Sequence, residues 1–211
     1  MLRIGRRQAL AATLATGALS AGTLSMTLPA RPARAQGGTQ GGGPSGDLGQ
    51  LREGEPKPLP ALRFTDAEGT AKTLGEFRGQ GVVMNFWATW CGPCVEEMPS
   101  LDRLAAALAG DGIAVLPLSS DRGGAPQVKG FYAAHGVRNL AIWLDPQGAA
   151  GRQLGIRGLP TTVILDRQGQ EVARLEGAAA WDAPDKLAAI RRLAGPRGGD
   201  ALPAGDKPTA T

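Results

Sequence analysis

Cysteine and histidine are scarce in this chain. Its 211 residues include two cysteines and one histidine, His135. A zinc site needs four ligands, and neither a second Cys-x-x-Cys pair nor a second histidine is present to complete one. We therefore predict no metal site and no other cofactor. Aromatic residues make up only 4% of the chain and are not interleaved with a basic face, which argues against nucleic-acid binding.

Acidic residues are absent from the first 35 positions, which hold five of the 23 basic residues. Arg6 and Arg7 precede the uncharged residues 8–28, and a small-x-small cleavage pattern ends at Ala35. We interpret residues 1–35 as an export signal of the twin-arginine type; a Sec signal and an uncleaved membrane anchor are the alternatives. Without this segment, 18 basic residues stand against 19 acidic ones. The predicted location is the periplasm, where disulfides persist, with membrane contact only if the signal is uncleaved.

Low-complexity segments flank one predicted domain. Residues 36–58 are rich in Gly, Gln and Pro and are interpreted as a flexible linker, and residues 195–211 as a disordered tail. Residues 59–194 suffice for one domain, in which short apolar runs alternate with helical patterns; this predicts an α/β fold. The predicted strands are 62–65 and 71–74, paired as a hairpin, then 82–87, 113–118, 140–144, 162–165 and 171–175, and the predicted helices are 94–109, 127–135, 149–154 and 182–193.

The two cysteines, Cys91 and Cys94, lie three positions apart, just after the apolar run 82–87. If Cys91 caps a helix that begins here, unpaired N–H groups and the helix dipole favour its thiolate, the nucleophile of disulfide exchange. We therefore predict that Cys91 attacks and that Cys94 resolves the mixed disulfide. Pro93 is tolerated in the first helical turn, and Gly92 leaves room for a partner. A purely structural disulfide is the alternative, but closing so short a loop yields little stabilisation.

Three segments together resemble the thioredoxin superfamily, and more closely its exported TlpA/ResA-like branch of thiol-disulfide oxidoreductases. They are NFWATWCGPC at 85–94, EEMP at 96–99 and GLPTT at 158–162. The resemblance covers about residues 59–194. It implies a thioredoxin-like α/β fold, in which a central mixed sheet is flanked by helices and carries an N-terminal β-hairpin extension.

The resemblance also implies roles for residues around the cysteines. Pro160 matches a cis-proline that faces the active site, and Leu159 is expected to offer backbone groups to an incoming peptide, as an added strand would. Glu97 matches an acid that tunes the cysteine pair and accepts a proton from the resolving cysteine. The expected catalytic residues are Cys91, Cys94 and Glu97, and the expected substrate-binding residues are Trp90, Gly92, Pro93, Leu159 and Pro160.

Asn85 departs from cytosolic thioredoxins, which have an aspartate at this position. An amide cannot shuttle a proton, so the role of general base moves to Glu97 or to water. This difference is typical of the exported branch.

The predicted function is a periplasmic thiol-disulfide oxidoreductase that acts on protein thiols and disulfides. We expect a reductase, for example of apocytochrome c or copper-chaperone cysteines, with a membrane thiol carrier as electron donor. The alternatives are a disulfide oxidase, a thiol peroxidase and a Cu(I) chaperone. In the last of these, Met98 would join the cysteines as a ligand, although a core role for Met98 is the preferred interpretation.

Overall fold

The computed structural model describes residues 50–195. The signal predicted at 1–35, most of the predicted linker and residues 196–211 of the predicted tail lie outside this range. The strands β1 to β8 are Arg52–Pro58, Arg63–Asp66, Ala71–Thr73, Gly81–Trp87, Ile113–Ser119, Trp143–Leu144, Thr161–Leu165 and Gln170–Glu176. The helices α1 to α4 are Gly92–Leu108, Gly124–His135, Ala149–Gln153 and Pro184–Leu193, and a short 3₁₀ helix spans Leu74–Phe77.

The eight strands form one mixed sheet in the order β1-β8-β7-β4-β5-β6-β2-β3. Strands β4, β5 and β6 run parallel, and β7 is antiparallel to both β4 and β8. All seven residues of β4 are buried, as expected for a central strand covered on both faces. The chain passes from β4 to α1 through residues 88–91, so the two cysteines lie at the carboxyl end of the central strand.

Helices cover both faces of the sheet because alternate residues of β4 point to opposite sides. Val83 and Trp87 pack in a core that includes apolar residues of α1, α2 and α4. Met84 and Phe86 pack in a second core, to which α3 contributes Ala150. Helix α1 therefore packs along one face of the sheet, and its amino end lies near the carboxyl end of β4.

The predicted thioredoxin-like architecture is confirmed. Strands β2 and β3 form the expected antiparallel hairpin, which joins the sheet through β6. Strand β6 is shorter than the predicted 140–144. Leu140 packs into the core, and the Ala141 carbonyl accepts a hydrogen bond from the Tyr132 hydroxyl instead of from a neighbouring strand.

The boundary of the linker predicted at 36–58 is wrong, because Arg52–Pro58 is an ordered strand. All seven of its residues are exposed, so no apolar pattern marked it in the sequence. Backbone pairing with β8 holds the strand, and the Glu53 carboxylate accepts hydrogen bonds from the guanidinium of Arg192 on α4. At the other end, the Gly195 carbonyl accepts a hydrogen bond from Arg167, so the first residue of the predicted tail is attached to the domain.

Candidate active site

Cys91 and Cys94 are joined by a disulfide at the amino end of α1, with their Cα atoms 5.2 Å apart. Cys91 is the N-cap residue, and its Sγ accepts a hydrogen bond from the Cys94 amide at 3.3 Å. The predicted capping position is therefore confirmed. Cys91 is 8% exposed, whereas Cys94 is wholly buried. A partner sulfur can reach only the first of the two without rearrangement.

The surface around Cys91 is open and apolar. Trp90 is 70% exposed, which makes it the most exposed large apolar side chain of residues 50–195. Gly92 and Pro93 are also exposed. A Cβ added to Gly92 would meet no neighbouring atom of the protein within 4 Å. The absence of a side chain here is therefore not required by internal packing, and it leaves the surface beside Cys91 open to another molecule.

The Leu159–Pro160 peptide bond is cis, as predicted. Pro160 directly precedes β7, whose residue Thr161 pairs with Phe86 on β4. This pairing brings the predicted peptide-binding segment, Leu159 and Pro160, to the carboxyl end of β4, where the disulfide also lies. Leu159 is half-buried and touches both cores, while Pro160 is buried.

Glu97 lies three residues after Cys94 on α1 and is only 3% exposed. Its Oε1 accepts a hydrogen bond from Asn85 Nδ2 at 2.8 Å. Its Oε2 accepts hydrogen bonds from the Trp181 indole at 2.8 Å and from the Ala179 amide at 3.1 Å. Burial raises the pKa of Glu97 above its usual value of 4.5, and these three hydrogen bonds oppose only part of the rise.

A cavity of about 390 Å³ connects Glu97 to the surface. It lies between α1 and the segment that follows β8. An ion pair between Arg103 and Asp182, 2.6 Å apart, joins its two walls. Glu97 thus lies at the wall of this cavity.

Sequence reasoning missed the residues that hold Glu97 in place. Trp181 is wholly buried and is 84 positions from Glu97. Ser100, one turn after Glu97, donates to the Ala179 carbonyl and accepts from the Trp181 amide. The only sequence signal was the rarity of tryptophan, with four in the chain, because no spacing rule links positions so far apart.

Asn85 connects Glu97 to the sheet. Its Nδ2 donates to Glu97 and also to the Thr162 hydroxyl at 2.9 Å. Its Oδ1 is buried without a hydrogen-bond partner among residues 50–195, as is Nε1 of Trp87. Asn85 has no acidic proton to transfer, as expected from the residue type, and the structure adds that it fixes the Glu97 carboxylate through one donated hydrogen bond.

Trp87 and Met98, which lie close to the two cysteines in the sequence, belong to the core. The Trp87 ring stacks on Tyr132, with centroids 5.9 Å apart and planes at 14°. Met98 is fully buried in the same core, which confirms the preferred interpretation and leaves it without access to a surface copper ion. Within residues 50–195, no group of three or more His, Cys, Asp or Glu side chains is placed to hold a metal.

The family model described as Redoxin matches residues 54–189, more than half of the chain. The chain belongs to the Redoxin family. Two relatives of this Redoxin protein are named thiol-disulfide oxidoreductase ResA. The one from Bacillus thuringiensis subsp. konkukian is 31% identical over 121 residues, which is 57% of this chain and 69% of the relative. The one from Geobacillus thermodenitrificans is 34% identical over 113 residues, or 53% and 63% of the two chains.

Solved structures place the Redoxin chain in the same group. A Chlorobium tepidum protein described as thiol:disulfide interchange protein DsbE is 25% identical, with 67% of this chain and 95% of that one covered and a TM-score of 0.54. The exposed lipoprotein thioredoxin of Streptococcus pneumoniae is 27% identical, with 64% and 100% covered and a TM-score of 0.54. The chain is therefore a ResA-type thiol-disulfide oxidoreductase of the thioredoxin superfamily. Within residues 50–195, no helix has the length and apolar character needed to cross a membrane.

Proposed function

We propose that this Redoxin protein is a periplasmic disulfide reductase that donates two electrons to partner proteins, here called clients. The observation that carries the proposal is the pairing of a nearly buried Cys91–Cys94 disulfide with a buried glutamate of raised pKa one helical turn beyond it. The Gly92-Pro93 sequence between the cysteines resembles that of reducing thioredoxins and favours the reducing direction over a disulfide oxidase.

The cycle begins when a donor dithiol reduces the Cys91–Cys94 disulfide, so that two electrons and two protons enter the pair. The Cys91 thiolate then attacks a client disulfide, forming a Cys91–client disulfide and releasing one client thiolate, which takes up a proton. Cys94, once deprotonated, attacks Cys91 Sγ and expels the second client thiolate. The Cys91–Cys94 disulfide is restored, and the client leaves as a dithiol.

Glu97 is proposed to accept the proton of Cys94 in the second step. Residues three apart on a helix are neighbours on its surface, and Cys94 and Glu97 are both buried on α1. A buried cysteine resists ionisation, so its loss of a proton needs a base. A base whose pKa has been raised towards the working pH is a stronger proton acceptor than an ordinary glutamate. The proton then leaves through the cavity beside Arg103.

Clients are proposed to dock across the open face. Trp90 supplies apolar contact, and the exposed Gly92 and Pro93 let a client chain approach Cys91. Leu159, held by the cis bond to Pro160, supplies backbone groups for an extended client segment. The proposed clients are apocytochrome c or copper-protein cysteines, and the proposed donor is a membrane thiol carrier that reaches the protein after export.

The direction of electron flow is tested by the reduction potential of the Cys91–Cys94 pair, measured against glutathione. We expect a value in the range of thioredoxin-like reductants, and a value above about −150 mV would contradict the reductase assignment. Clients are identified by trapping with Cys94→Ser, which should retain mixed disulfides through Cys91. Capture by Cys91→Ser and not by Cys94→Ser would reverse the assignment of attacking and resolving cysteines.

A further inference from the structure

Asp121 is a second buried carboxylate near the disulfide, and the reaction proposed above does not use it. It lies two residues beyond β5 and has no exposed surface. Its Oδ2 accepts hydrogen bonds from the Thr89 amide at 2.9 Å and the Ser119 hydroxyl at 2.8 Å. Its Oδ1 accepts from the Thr89 hydroxyl at 2.7 Å and from Gln127 Nε2 at 2.9 Å. Within residues 50–195 it forms no ion pair, so hydrogen bonds alone compensate its burial.

Thr89, which Asp121 holds at two points, begins the segment that carries the exposed face. The Cys91 amide donates to the Ala88 carbonyl at 3.2 Å, which closes a turn over residues 88–91. Trp90 lies inside this turn and is 70% exposed, so little of its side chain is fixed by packing. The backbone of the turn therefore determines the point from which the Trp90 side chain projects beside Cys91. Asp121 and the Cys91 cap fix that backbone from its two ends.

We propose that Asp121 is a positioning residue for client binding, because its carboxylate fixes Thr89 and thereby pre-orders the turn that presents Trp90 beside Cys91. The inference rests on the proposed function, since it assumes that clients contact Trp90. A binding surface that is ordered in advance spends less free energy on becoming ordered when the client arrives. Loss of Asp121 should therefore weaken client binding more than it changes the chemistry of the disulfide.

The test compares two reactions of the full chain. One is the reduction of the Cys91–Cys94 disulfide by dithiothreitol, which is too small to need the Trp90 surface. The other is the reduction of insulin disulfides by the reduced protein. We expect Asp121→Ala to raise KM for insulin about tenfold through lost pre-organisation, with kcat and the dithiothreitol rate changed by less than about twofold. Asp121→Asn keeps an oxygen that can accept from the Thr89 amide and should stay within about threefold of the original KM.

Asp102 provides a matched control for the loss of a buried acid. Its carboxylate accepts the amides of Arg138 and Asn139 and the Asn139 side chain, and it lies about 16 Å along α1 from Cys91 at 1.5 Å per residue. We expect Asp102→Ala to lower the denaturation midpoint and leave KM for insulin unchanged. If both alanine variants raise KM equally, the effect of Asp121 is one of general stability and the proposal is wrong.

A second pair of variants keeps the test open if Asp121→Ala does not fold. Thr89→Val removes the hydroxyl, which donates to Asp121 and also accepts from Gln127 Nε2 at 2.7 Å, but leaves the amide contact, and Thr89→Ser restores the hydroxyl. KM should rise about threefold in the valine variant because the two lost hydrogen bonds weaken the hold on the turn, and it should recover in the serine variant. Equal KM values for the two variants would overturn the proposal.

Hydrogen exchange of the Thr89 amide separates failure of this inference from failure of the proposed function. It should be faster in Asp121→Ala than in the original protein, whereas Asp121→Asn, which keeps an acceptor for this amide, and Asp102→Ala should leave it nearly unchanged, whether or not insulin is a substrate. If the original protein fails to reduce insulin, the proposed reductase function is contradicted. Unchanged exchange in Asp121→Ala would instead contradict the positioning role.

Discussion

Glu97 and Asp121 are two buried carboxylates close to one disulfide, and they have different hydrogen-bond partners. All three hydrogen bonds to Glu97 come from N–H groups, and two of these lie in the segment after β8, more than 80 positions away. Asp121 accepts two of its four from hydroxyl groups, and Thr89, which it holds at two points, lies two residues before Cys91.

The different partners suit the two carboxylates to different proposed roles, proton transfer for Glu97 and ordering of the turn over residues 88–91 for Asp121. Glu97 follows Cys94, has a pKa raised by burial and lines a cavity that leads to solvent. Asp121 precedes α2, has no exposed surface and is bound to the turn that carries Trp90. A carboxylate can thus serve two roles here. Glu97 is suited to accept a proton from Cys94, and Asp121 is suited to order the turn that precedes Cys91. The predictions below test whether these two roles are separate.

The largest effect is expected for Glu97→Gln, which keeps the size of the side chain but cannot accept a proton. We expect the kcat of client reduction to fall about a hundredfold, in the range usual for general bases, with KM little changed. Steady-state kinetics with insulin measure both. Glu96→Gln is the matched control, because Glu96 is the exposed neighbour and should leave kcat intact. A Glu97→Gln variant with full kcat would assign the proton to water.

A double variant tests the separation directly. If Glu97 acts on the chemical step and Asp121 on binding, the fold-changes of Glu97→Gln and Asp121→Ala should multiply in kcat/KM. Residues without shared partners normally give additive free energies. The cycle requires four kcat/KM measurements under one set of conditions. A double variant no worse than Glu97→Gln alone would mean that both acids serve the same step.

A smaller effect is expected for Trp181→Phe, which removes one donor to Glu97. That hydrogen bond lowers the pKa of the carboxyl, so its loss should raise the pKa further and move the pH midpoint of kcat upwards. We expect a loss of about threefold in kcat at neutral pH, because a larger fraction of Glu97 is then protonated and unable to accept the proton of Cys94. A pH–rate profile measures the shift. Trp90→Phe should change KM and leave the midpoint in place.

The smallest effect concerns stability. The pKa of Glu97 is higher in the folded protein than its ordinary 4.5, so the folded state binds more protons above pH 4.5. The Glu97 contribution to the unfolding free energy therefore falls as pH rises from 4.5 through the raised pKa, and it is constant above that. Glu97→Gln should gain stability relative to the original protein over this window, as measured by urea denaturation. Parallel stability curves would contradict the raised pKa.

Much of this site was predictable because its residues lie close together in the sequence. Cys91 caps the helix that carries Cys94 and Glu97, and the resemblance of the motif around Pro160 to the thioredoxin superfamily predicted the cis bond. Trp181 and Asp121 were not predictable, because their roles depend on hydrogen bonds between segments that only the folded sheet brings together. Strand β1 was missed for a different reason. Its pairing with β8 uses backbone groups, and its exposed side chains give no periodic signal.

The direction of β1 determines at which end of the sheet the strand begins. Arg52 pairs with Arg174, while Pro58 pairs with Gln170 at the start of β8. Glu176, at the end of β8, pairs with Thr161, and Thr161 pairs with Phe86 near the carboxyl end of β4, where the disulfide lies. The start of β1 and the disulfide therefore lie at the same end of the sheet. The seven residues of β1 run towards the opposite end and lead the chain away from the face where clients are proposed to dock.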